Sequence, residues 1–169
     1  MSKVQLKKEL ARLDKDQLTA LILDAYSARK EIKAYLDFFV DPDVDALYDK
    51  YALSIHREMS RGKYSRSTAR MSRVRADIKE FASFGVEPET VIDLMCYALR
   101  TGLLVKKIKF TKKPFDKALV TIGNDILKLG DKEGIFTTAR QKLDRALDGT
   151  EGSKWTVNRL RAEFDLPSL

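Results

Sequence analysis

Cysteine and histidine occur once each in 169 residues, as Cys96 and His56, and this scarcity removes whole classes of chemistry. A single cysteine closes no intrachain disulfide, which argues against a disulfide-stapled secreted fold. One histidine and one cysteine cannot assemble the ligand set of a zinc site, so no metal or other cofactor is expected. The four prolines and eight glycines are also few, and most fall where apolar periodicity stops, as punctuation between helices. No stretch approaches the roughly 18 consecutive apolar residues of a membrane span. From Lys3 to Leu10 acid, base and apolar residues interleave, with no apolar core or small-residue cleavage site. The chain therefore reads as a mature cytoplasmic protein with no membrane role.

What is present is helical pattern and charge. Apolar residues make up 44% and charged residues 34% of the chain, enough for one compact domain. The periodicity predicts an all-α, multi-helix domain of seven to eight helices built from antiparallel pairs, either compact or wound as a short superhelix. A first short helix spans Lys3 to Arg12, and Asp14 with Gln17 has the spacing of a capping box for the next. Leu18, Leu21, Ile22, Ala25, Ile32, Leu36, Phe39 and Val40 form one stripe, which predicts a long second helix from Lys15 to Val40 with a weak point near Ser27. Arg29 falls on this stripe as a snorkelling stem, a helix offset or a buried ion pair. A third helix follows Asp41-Pro42-Asp43 and closes at Gly62. A fourth is expected from Ser67 to Phe84, and a fifth from Pro88 to Thr101 is so widely apolar that it belongs at the centre of the fold. Gly102 and Gly130 are read as helix ends. Residues 103–114 form a basic connector, loop or short strand, dividing the domain loosely into 1–102 and 115–169.

Catalytic chemistry finds little support. His56 stands beside Arg57 and Glu58 on a charged face, and Cys96 lies in the most apolar segment as a small hydrophobe. Asp41, Asp43 and Asp45 open like a calcium loop, but Ala46 and Ala52 occupy the positions where it needs glycine and glutamate. Gly62-Lys63 is only a fragment of a phosphate loop. Asp93 interrupts the apolar fifth helix as an exposed edge, an ion-pair partner or a carboxylate for acid-base work.

The net charge of +7 is unevenly spread. From Arg57 to Lys79 eight basic residues face two acidic ones, and from Arg100 to Lys117 seven face one. Each island carries +6, leaving −5 on the rest. On the predicted fourth helix Arg66, Arg70 and Arg73 line up within about 60° of arc. With Arg61, Lys63 and the stacking side chain of Tyr64 they make the best candidate for binding phosphate or carboxylate. Arg73 and Asp77 also have the spacing of a surface ion pair. The second island, with Lys106, Lys107, Lys109, Lys112 and Lys113, interleaves with Ile108, Phe110 and Phe115. The expected function is a non-catalytic protein-interaction or scaffold module, whose partner is another protein or a second copy. The alternative is nucleic-acid or polyanion binding, which requires the two islands to share a face.

The segments Lys3 to Leu10 and Leu13 to Leu18, the turn Tyr35-Leu36-Asp37-Phe38-Phe39-Val40-Asp41-Pro42, and Lys79-Glu80-Phe81-Ala82 with Glu87-Pro88-Glu89 resemble an uncharacterised family of small bacterial all-helical proteins, a domain of unknown function. The likeness extends over about the first hundred residues. It implies a bacterial cytosolic protein and supplies no catalytic residues to carry over.

Overall fold

The computed structural model describes residues 2–62, 66–148 and 154–167. Among these residues the chain forms nine helices and, outside them, one isolated backbone bridge. The fold is all-α. It divides into two compact units, Met1–Asp43 and Val44–Leu169.

The first unit contains α1 (Lys3–Leu10), α2 (Lys15–Ala28) and α3 (Lys30–Val40). Both α1 and α2 open with capping boxes, Ser2 with Gln5 and Asp14 with Gln17, each satisfying two otherwise orphaned backbone groups. The expected long helix is two helices. Arg29 adopts an extended conformation (φ −137°, ψ 118°), its N–H ending α2 on the Ala25 carbonyl while its own carbonyl accepts from Lys33 and starts α3. Just before this break the Ser27 hydroxyl donates to the Leu23 carbonyl at 2.9 Å, the kind of back-bonding that bends helices. The two helices pack together, and the Tyr26 hydroxyl donates to Asp37 at 2.8 Å. None of the residues in α1, α2 or α3 is buried.

The second unit holds every buried apolar residue of the described chain. It comprises α4 (Val44–Met59), α5 (Met71–Ser83), α6 (Pro88–Ile108), α7 (Lys113–Lys132), α8 (Phe136–Asp148) and α9 (Lys154–Glu163). α6 packs against α4, α5, α7 and α8, so the helix with the widest apolar coverage is the central one. Phe81 from α5 is fully buried and meets Tyr48 and Tyr51 of α4 edge-on.

Gly102 does not end α6. The helix runs on to Ile108, and glycine stands at 102 because α6 lies so close to α7 there that a Cβ would sit 2.4 Å from Leu119 Cδ2. Gly130 is likewise inside α7, where a Cβ would lie 2.4 Å from that of Ala139. Residues 103–108 are therefore helical, and only Lys109 to Lys112 connect α6 to α7. The last helix is fastened by Arg161, 3% exposed, whose guanidinium donates to Asp144 and Asp148 at 2.6 Å each and to the Pro167 carbonyl.

Candidate polyanion interface

α5 begins at Met71, so Arg66 and Arg70 precede it and the expected row of Arg66, Arg70 and Arg73 along one helix does not exist. The physical reason is Glu58. This carboxylate is buried on α4 and draws in the Arg70 backbone N–H at 2.9 Å, its Nε at 3.1 Å and its Nη2 at 3.0 Å. With its N–H and guanidinium both committed, Arg70 takes an extended backbone, and the helix starts one residue later. Arg61 adds a longer contact at 3.3 Å. The Arg70 hydrogen bonds hold the Glu58 carboxyl down at about 2 against the opposing effect of burial, with Arg61 assisting. Arg61 and Arg70 are thus a structural clamp. Asp77 is not paired with Arg73 either; it is buried and accepts from the Ser54 hydroxyl at 2.7 Å.

The segment freed from the helix carries the other half of the arrangement. Arg66 forms a parallel backbone bridge with Phe110, in which the Ser67 N–H donates to the Phe110 carbonyl at 3.0 Å. The bridge joins the first basic island to the second. Lys109 secures it, its ammonium reaching the carbonyls of Ser60 at 2.6 Å and Gly62 at 3.2 Å beyond the C-terminus of α4, where a cation is favoured by the helix dipole. Beside the bridge lies a groove of about 500 Å³, lined by Arg66, Ser67, Thr68 and Ser72 on one side and Thr111, Lys112 and Phe115 on the other. The first turns of α5 and α7 border this groove, and neither helix has a side-chain cap on its N-terminal N–H groups. Arg66, Arg73, Lys112 and Lys113 are exposed.

On the other flank of the α7 first turn a second groove, of about 680 Å³, is lined by Lys106, Lys113, Asp116, Lys117 and, from α9, Arg159. Lys106 is neutralised by Asp116 at 2.7 Å. Lys113 and Lys117, four residues apart, share a helix face. Lys107 is exposed, while Lys63 and Tyr64 lie outside the described residues. Ser67, Thr68, Thr111 and Arg159 were not among the expected site residues. The hydroxyls carry no charge signal, and Arg159 is far from both islands in sequence. A model of a family of unknown function, DUF6155, matches residues 1–165. The chain belongs to that family. The match covers both units and extends well past the first hundred residues. No curated protein and no solved structure matches the chain.

Elsewhere on this DUF6155 protein, Asp93 and Cys96 line a groove of about 670 Å³ together with Asp45, Arg100, Lys142 and Arg145. Asp93 accepts from Lys142 at 2.6 Å, and the same ammonium reaches Glu89 at 3.0 Å, tying α6 to α8. Burial alone would depress Lys142, but the hydrogen bonds to Asp93 and Glu89 raise it above its usual range. Burial, with nearby Asp93, pushes the Cys96 thiol up to about 12, far from the thiolate that a nucleophile needs. His56 is exposed on α4. Among the described residues no helix is long and apolar enough to cross a membrane.

Proposed function

We propose that this protein is a non-catalytic binding module for phosphate-bearing polyanions, and that its contact surface is the junction of residues 66–73 with residues 107–117. The supporting observation is the bridge between Arg66 and Phe110, which joins one segment of each basic island. Arg66 and Lys112 face a common groove with four hydroxyl side chains, and two helix N-termini add their positive ends. The cytoplasmic part of the reading rests on the free, buried thiol of Cys96, and the bacterial part on the resemblance of the opening segments.

Counterion release makes the test quantitative. Affinity for a labelled oligonucleotide, read by anisotropy with heparin as competitor, is expected to fall linearly with log salt. Arg66→Glu with Lys112→Glu should weaken binding at least about tenfold and flatten the slope by about one unit per contact removed. Absence of binding to nucleic acid and heparin at about 50 mM salt rejects the reading.

A second reading, as a protein-interaction module, is favoured by the first unit. None of its helical residues is fully buried, while Leu21, Ile22, Leu23, Ile32, Tyr35 and Phe39 are exposed. Ile32, Tyr35 and Phe39 share one face of α3, and contiguous exposed apolar surface marks contact sites. Sedimentation of the full chain against residues 44–169 tests it; association that survives removal of residues 1–43 rejects it.

A further inference from the structure

Resting on the polyanion reading, we propose that the ligand is a single-stranded nucleic acid, one base of which stacks on Phe110 while Arg66 and Lys112 hold neighbouring phosphates. Phe110 is 66% exposed and Ile108 70% exposed, the most exposed large apolar side chains of a unit that also leaves Leu53, Leu104 and Phe136 partly open to water. The ring does not sit on a loose loop. The Lys109 N–H closes α6 on the Val105 carbonyl at 2.8 Å, its ammonium is tied to Ser60 and Gly62, and the Phe110 carbonyl is bound by Ser67. Two residues later Lys112 opens α7, with Pro114 in its first turn.

The connector is therefore pinned on both sides of Phe110, and a backbone already fixed loses little freedom on binding. Two cationic residues stand close to Phe110 along the backbone. Arg66 lies across the bridge, at the roughly 4.8 Å separation of paired backbones, and Lys112 follows in the chain. An exposed ring with cationic residues on the adjoining backbone favours a ligand that offers both phosphate and an open π face. A single strand presents both, whereas a duplex hides its base faces in the stack. An acidic protein surface would use the cations and leave the ring idle.

The test compares a labelled oligothymidylate with a duplex of equal length at about 50 mM salt, using the full chain. Wild type should prefer the single strand. Phe110→Ala should weaken single-strand binding on the order of tenfold and leave duplex binding unchanged, while Phe110→Tyr, which keeps the π face, should retain wild-type affinity. The Ala variant removes an exposed ring, so its melting curve should match wild type and any loss of affinity is local. Equal binding of strand and duplex, or an unaltered Phe110→Ala affinity, overturns the single-strand proposal and leaves the polyanion reading standing. Failure of strand, duplex and heparin alike overturns both.

Discussion

Glu58 is buried on α4, and a carboxylate taken out of water must be matched by donors or give up its charge. Arg70 supplies three and Arg61 a weaker one. Because these contacts lower the carboxyl from 4.5 to about 2, the clamp contributes fully above the unfolded value and is lost as pH falls through the folded one. Glu58→Gln keeps the shape and removes the charge. Urea unfolding should show the variant less stable by about 1–3 kcal/mol near neutral pH, with the gap closing as pH drops from 4.5 towards 2. A gap that persists undiminished at low pH would show that the charge is not what matters. This residue also explains why the sequence suggests an arginine row that the fold does not form. Arg66, Arg70 and Arg73 have helical spacing, but nothing in the spacing reveals that a carboxylate twelve residues before Arg70 captures its backbone N–H.

At the scale of elements, apolar periodicity located the helices of the second unit and identified α6 as central, because burial of one stripe is a property of local sequence. The boundaries were harder to read. Gly102 and Gly130 carry the same letter as a terminator, yet each is small because another helix presses on it. Arg29 breaks a stripe whose apolar spacing continues on both sides. Gly62 is a glycine whose reading as a helix end agrees with its geometry: its φ is 110°, and a Cβ there would lie 2.2 Å from the Arg66 carbonyl. Backbone crowds it, so no side-chain shift can relieve the clash. Gly62→Ala is expected to cost about 2–3 kcal/mol, lowering Tm by about 5–10 °C. Because the displaced carbonyl belongs to Arg66, polyanion affinity should fall with it. A variant with wild-type Tm and affinity would mean that the turn over α4 does not position Arg66.

For the whole molecule, charge and burial divide along the same line. Residues 1–43 contain eight basic and eight acidic side chains, so the entire +7 belongs to residues 44–169. Sequence alone puts a loose division of the chain near Gly102, where helical signals lapse. The compact units instead meet at Asp43 and Val44, and α6 passes through Gly102 unbroken. Local composition cannot show this, because what joins 1–102 to the rest is packing of α6 on α7 and α8, contacts between residues distant in sequence. A unit that keeps its own core and all the net charge should function by itself. Residues 44–169 expressed alone are expected to unfold in a single cooperative transition by circular dichroism and to bind oligonucleotide with the full-chain salt slope. Any self-association or protein partner of the full chain should be lost, since the exposed apolar face of α3 goes with residues 1–43. A non-cooperative fragment would place part of the stabilising contact in the first unit. A cooperative fragment with a flattened slope would put phosphate contacts on residues 1–43, contrary to a site confined to the junction of Arg66 and Phe110.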